Sequence, residues 1–256
     1  MNKLFYLTLV VAIIFVCCTT NTDKGNLAEV SNNTEFGKAG KVTFKSKDGL
    51  EITADYYPNN NAENIVILLH QSGFSRGAYK DIAPLLVDSG FACIAVDLRC
   101  GEMVNEVLNE TANKAREQGL SQKEADAKQD VQAAIDYIAT NSTKNIYLWG
   151  SSYSGSLSLI LAKEDARVKR VIAFSPGEFL GNQQTVRTSI TDLEKPIFIT
   201  GGEAEYKFVV QPILNVLPKL NVTAVKQKGG NHGTKTLWEN NENSKNIYEE
   251  LFRFLK

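Results

Sequence analysis

N-I-Y-L-W-G-S-S-Y-S-G, residues Asn145 to Gly155, carries an apolar segment into a knot of glycine and serine. A run of helical character, S-L-S-L-I-L-A-K-E, follows at once. Strand, tight turn and helix in that order form the junction on which a side chain can be raised above the edge of a sheet. The spacing Gly150-Ser151-Ser152-Tyr153-Ser154 follows the pattern G-x-S-x-G, with serine in place of the second glycine. The outer positions must be small because strand and helix nearly touch. Ser152 falls at the middle position, and Ser151 is the fallback. A serine hydroxyl is a poor nucleophile and needs a neighbouring base, most often histidine. The chain has two histidines, His70 and His232, so the choice of base is nearly one of elimination.

Working outward, the pattern from about Lys41 alternates strand and helix. K-V-T-F-K-S and L-E-I-T-A-D-Y-Y flank Lys47-Asp48-Gly49, which reads as a hairpin. N-I-V-I-L-L-H, F-A-C-I-A-V-D, V-K-R-V-I-A-F, P-I-F-I-T and L-N-V-T-A-V read as further strands, the first a continuous apolar run of the buried kind. Helices are expected near Tyr79 to Asp88, from about Met103 to Gln118, after Ser121, over Phe208 to Val216, and from Ser244 with Ile247, Leu251 and Leu255 on one face. Ser121-Gln122-Lys123-Glu124 has the form of a capping box. The order implies an α/β fold with a mostly parallel sheet covered on both sides and an antiparallel edge from the opening hairpin.

With 256 residues, 43% hydrophobic content and a net charge of -1, the chain can bury a sizeable core and shows no basic excess for nucleic acid. The N-terminus departs from this. Lys3 precedes thirteen mostly apolar residues, a signal-peptide pattern that falls short of the roughly 20 residues of a membrane span. The run ends on Cys17-Cys18 and resembles the lipobox of bacterial lipoproteins. Cys17 follows bulky Val16, whereas Cys18 follows a small residue, so Cys18 is the expected lipidation site and Cys17 the alternative. The expected division is signal peptide 1–17, polar tether 18–40 and a folded domain 41–256. The expectation is thus an exported protein held at a membrane through a lipidated N-terminus, on the periplasmic or cell-surface side. Cys93 lies in an apolar run. Seven extended residues put it about 23 Å from Cys100, too far for a disulfide along one strand.

The order of these motifs over residues 41–256 resembles the α/β-hydrolase superfamily, in particular dienelactone-hydrolase-like proteins and small serine esterases. The residues that carry the likeness are the Ser152 turn, H-Q-S-G-F-S-R-G after the third strand, Asp97-Leu98-Arg99-Cys100-Gly101, S-P-G-E, and G-G-N-H-G before the last helix. The resemblance implies an α/β-hydrolase fold of about eight strands. It implies His232 as base and a structural His70 at the head of the oxyanion loop. That loop and the turn would offer backbone N–H groups from Ser72 or Gln71 and from Tyr153. It puts the acid after the strand P-I-F-I-T, at Glu205, with Glu203 and Glu178 as alternatives. Asp97 and Arg99 would brace loops. Dienelactone hydrolases themselves carry cysteine at the position of Ser152.

Such a set implies hydrolysis of a carboxylic ester through an acyl-enzyme. Only Gly177 to Lys195 separates the sixth and seventh strands of the resemblance, too little for a large apolar lid, which favours a small or medium ester. The sequence offers no H-E-x-x-H and no glycine-rich nucleotide loop, so neither a metal nor another cofactor is expected. Two other readings remain open at this stage. One is a non-catalytic binding lipoprotein on the same scaffold, which Gln71 and Ser154 in glycine positions would suit. The other is a peptidase of the same fold.

Overall fold

The computed structural model describes residues 37–182, 184–238 and 244–256. The signal peptide, the lipidation site at Cys18 or Cys17 and nearly all of the tether lie outside these residues. The strands and helices, in chain order, are β1 (Gly40–Lys45), β2 (Glu51–Tyr57), β3 (Asn64–Leu69), α1 (Ile82–Asp88), β4 (Ala92–Val96), β5 (Met103–Val104), β6 (Val107–Leu108), α2 (Glu110–Glu117) and α3 (Lys128–Asn141). They continue with β7 (Asn145–Ser151), α4 (Tyr153–Glu164), β8 (Val168–Phe174), α5 (Thr185–Ser189), β9 (Ile197–Gly202), α6 (Glu203–Tyr206), α7 (Val210–Leu214), β10 (Val222–Gln227) and α8 (Ser244–Leu255).

Eight strands form one sheet in the order β1-β2-β4-β3-β7-β8-β9-β10. The pairs β1–β2 and β2–β4 are antiparallel, and the rest are parallel. This is the α/β-hydrolase fold that the alternation and the resemblance imply. The reason for the parallel centre is visible in β3, where side chains alternate between two cores. Ile65, Ile67 and Leu69 join the core that includes Val131, Ile135 and Ile138 of α3 and Leu157 and Leu161 of α4. Val66 and Leu68 join the other, with Ile82 and Leu86 of α1 and Ile247, Leu251 and Leu255 of α8. A strand buried on both faces has no solvent side to mark with polar residues, hence its continuous apolar run. Parallel strands all end on the same edge of the sheet. The turns after β3, β7, β8, β9 and β10 therefore gather at one rim, which is where such folds build sites.

The local expectations hold unevenly. The Asp48-Gly49 hairpin forms, with Gly49 at φ 85°. The expected helix from Met103 begins instead as a two-stranded ribbon. Met103 pairs with Leu108 and Val104 with Val107, and Asn105 and Glu106 take φ of 50° and 66°, the pair of left-handed residues that a tight hairpin requires. Only Glu110–Glu117 is helical, capped by the Asn109 side chain, which accepts the Ala112 N–H. The capping box at Ser121 does not form: the Ser121 hydroxyl bonds Asp126, and Glu124 accepts the Ser72 hydroxyl at 3.1 Å. Of the segment expected as a helix over Phe208 to Val216 only α7, Val210–Leu214, is helical, and Phe208 lies exposed in the turn before it, after α6. Near Tyr79, a 3-10 turn over Arg76–Tyr79 precedes the α1 helix. Cys93 and Cys100 are both buried free thiols. Among the described residues no helix is long and apolar enough to cross a membrane.

Candidate active site

β7 ends at Ser151 and α4 begins at Tyr153, so Ser152 is the single residue that reverses the chain. Its backbone takes φ 60° and ψ -124°, a conformation that costs a non-glycine residue roughly 1–3 kcal/mol and clusters at functional positions. Its N–H bonds the Phe174 carbonyl at 2.8 Å. Gly150 is fixed by space, since a Cβ there would lie 2.3 Å from the Ser154 carbonyl oxygen. At Gly155 the nearest atom would be 3.2 Å away. The serine at the second glycine position has its own task. Ser154 Oγ accepts the Ser151 N–H at 2.8 Å and donates to the Leu69 carbonyl at 2.8 Å, tying the turn to β3.

Ser151 joins the turn to two loops. Its Oγ accepts the Thr234 N–H at 2.9 Å and donates to Gln71 Oε1 at 3.1 Å. Gly233 must be glycine for this junction to close: it sits at φ 67°, and a Cβ would come within 2.3 Å of Ser151 Oγ and 2.4 Å of Gln71 Oε1. The elbow, the Gln71 loop and the His232 loop thus meet at one point. The Gln71 loop itself is a turn closed by the Phe74 N–H on the Gln71 carbonyl at 3.2 Å, with Gly73 at φ 76°. Tyr153 supplies the first backbone N–H of α4, a position with no acceptor inside the helix.

His232 precedes the junction. Its Nδ1 bonds Glu205 Oε2 at 2.5 Å, and its side chain is 39% exposed. The other carboxylate oxygen of Glu205 accepts the hydroxyl of Ser175 and the Gly202 N–H, the latter at 3.3 Å. Burial works against the charged Glu205. The bonds from His232 and Ser175 outweigh it and hold the carboxyl below its ordinary range. The competing acids are engaged elsewhere. Glu203 is exposed, accepts the Gly229 N–H at 3.3 Å and lies 3.5 Å from Lys226. Glu178 accepts the Val186 and Arg187 N–H groups at 2.8 and 3.0 Å, capping α5. Phe179, beside Glu178, stands edge-on to the His232 ring with centroids 6.1 Å apart.

His70 is built differently. It is fully buried, and both ring nitrogens are engaged. Nε2 accepts the Leu98 N–H at 2.9 Å, which puts the proton on Nδ1, where it is donated to the Gln71 carbonyl at 2.8 Å. Burial presses its pKa down to about 4, so at neutral pH it is an uncharged strut under the Gln71 turn. Asp97 receives the Arg76 guanidinium at 2.6 Å, and Arg99 joins Asp130 and Asp48 at 2.6 and 2.8 Å, which pins the β4 loop to α3 and the first hairpin. Ser175 opens the S-P-G-E segment, but the motif points to Glu178 and gives Ser175 no role of its own. Its part in the site exists only once β8, α6 and the His232 loop are folded together. Among the described residues no three His, Cys, Asp or Glu side chains form a group that could hold a metal.

The model of the dienelactone hydrolase family matches residues 52–222. Among solved structures, a dienelactone hydrolase from Anabaena variabilis superposes with a TM-score of 0.66 at 16% identity, over 85% of this chain and 96% of the other. An esterase from Pyrococcus furiosus gives 0.61 at 17% identity, over 89% and 96%. The esterase domain of a Rhodothermus marinus protein gives 0.59 at 14% identity, over 85% and 97%. At these identities the superpositions show the shared fold. No curated protein matches the chain. The family match spans the sheet from β2 to the start of β10 and includes the Ser152 elbow, and on it the chain belongs to the dienelactone hydrolase family of ester-cleaving hydrolases.

Proposed function

We propose that the chain is a serine esterase that cleaves a small or medium carboxylic ester through an acyl-enzyme, with Ser152 as nucleophile, His232 as base and Glu205 as the acid that orients it. The observation that carries this reading is the bond from Glu205 to His232 Nδ1 on the same rim as the strained Ser152 turn. With Nδ1 held, Nε2 is the nitrogen left for chemistry. Ser152 Oγ attacks the ester carbonyl as His232 Nε2 takes its proton. The carbonyl π pair moves onto oxygen, which two backbone N–H groups receive: that of Tyr153 and that of Ser72, with Gln71 as the alternative to Ser72. The oxyanion collapses, His232 returns the proton to the departing alcohol, and the acyl group remains on Ser152. Water, deprotonated by His232, repeats the sequence and frees the carboxylic acid. Glu205 stabilises the imidazolium formed in each half.

The β8–β9 connection supports an open site. Its only regular element among the described residues is the five-residue α5, and this cannot roof a long acyl chain. The test is turnover of a series of aryl esters of increasing acyl length. Short chains should be cleaved fastest, and Ser152→Ala should abolish turnover of all of them. Full activity in Ser152→Ala would sink the assignment.

The N-terminal residues support an exported protein anchored to a membrane by lipid on Cys18. Mass spectrometry of the protein from its native host should find a diacylated N-terminal Cys18. An intact, unmodified Cys17-Cys18 pair would refute the anchor.

A further inference from the structure

We propose that Ser175 is a positioning residue that holds the nucleophile, the acid and the base loop in one register. The inference rests on the triad proposed above. Ser175 follows β8 directly, is fully buried, and takes φ 50°, one of four described non-glycine residues on the left-handed side. An L side chain adopts this conformation only at a cost, so something must hold it there. Three bonds do. The Ser175 hydroxyl donates to Glu205 Oε1. Its Oγ accepts the N–H of Gly233, the residue after His232, at 2.8 Å. Its own N–H donates to the Thr200 carbonyl of β9 at 2.6 Å. The carbonyl on the other side of the same peptide, that of Phe174, accepts the Ser152 N–H at 2.8 Å.

One peptide and one hydroxyl therefore touch all three parts of the machinery. The hydroxyl has two jobs that an aliphatic side chain cannot do. It fixes the carboxylate oxygen that His232 does not use, so that the other points at Nδ1. It also anchors the backbone next to the base. A donor on Glu205 further draws charge from the carboxylate. Without it, the Glu205 carboxyl rises back toward its ordinary range.

The test compares Ser175→Ala and Ser175→Gly with wild type in kcat, KM, the pH profile of kcat/KM and thermal unfolding. Both variants lose the hydroxyl, but glycine alone is at ease at this φ. The expected result is a fall in kcat of roughly 10- to 100-fold in both, the range for lost supporting hydrogen bonds around a site, with KM near that of wild type. The acidic limb of kcat/KM moves to higher pH in both, and Ser175→Gly melts at or above Ser175→Ala. Wild-type kcat and pH profile in Ser175→Gly would overturn the proposal. So would activity that returns in step with the melting temperature, which would make Ser175 a merely structural residue. Should Ser175→Ala not fold, the glycine variant carries the test alone. A wild type that a fluorophosphonate leaves unlabelled at Ser152 overturns the triad itself, an outcome separate from the failure of Ser175.

Discussion

The two histidines differ in how many ring nitrogens the fold consumes. At His70 both are engaged by the protein, and burial keeps the ring neutral. At His232 one nitrogen is held by Glu205, while among the described residues the other has no protein partner, and the ring reaches solvent. Imidazole can support a loop or shuttle a proton, and the choice is made by its surroundings. A ring with no nitrogen to spare cannot act as a base, however close it lies to the nucleophile.

Substituting each histidine gives the widest contrast. His232→Ala should reduce kcat/KM for a short aryl ester by roughly a thousand-fold to a million-fold, with little change in melting temperature. His70→Ala should do the reverse. It leaves the Leu98 N–H buried without an acceptor and opens a cavity, so about 3 kcal/mol of stability should be lost in urea unfolding. A His70→Ala protein that folds normally would break the comparison.

A smaller effect sharpens the His232 side. Glu205→Gln leaves shape but removes the charge facing the imidazolium, and kcat should fall on the order of 100- to 10,000-fold. Glu203→Gln should leave it near wild type, because Glu203 contacts Gly229 and Lys226 and not the ring. Equal loss in both would mean that the 2.5 Å bond to His232 has no catalytic meaning.

The smallest effect concerns pH. Because the folded pKa of His70, about 4, lies below the ordinary 6.5, the unfolded chain takes up a proton in this interval and the folded chain does not. Stability from His70 is fully present above pH 6.5. It falls as pH drops towards 4, by at most about 3 kcal/mol. Asp97, pushed up to about 6 by burial, works in the opposite direction between 3.8 and 6. The difference in urea midpoint between wild type and His70→Gln, followed from pH 7 to 4, isolates the His70 share. A difference that does not vary with pH would show that His70 is not held neutral.

The same contrast explains what could be read before the fold was known. β3, β7 and α8 were legible because their signals are local: continuous apolar runs and a clean helical stripe at Ile247, Leu251 and Leu255. The Ser152 elbow was legible because sterics at Gly150 leave a mark in the sequence. The β5–β6 ribbon was not, since four apolar residues around Asn105-Glu106 fit a helix as well as a hairpin, and only the left-handed pair decides. Choosing between Glu205, Glu203 and Glu178 requires knowing which carboxylate reaches a ring 27 residues away along the chain. Ser175 is further removed still, since its partners are 30 and 58 residues distant and its backbone is strained by them. Ser154 reads in the sequence as a small stand-in for the second glycine, one that would also suit a non-catalytic scaffold, and in the structure it is a tie to β3.

The most direct measurement is intact-protein mass spectrometry after treatment with a fluorophosphonate, for wild type and Ser152→Ala. One adduct is expected on wild type, mapped to Ser152, and none on the variant. An unlabelled wild type, or equal labelling of Ser152→Ala, would show that Ser152 is not the nucleophile.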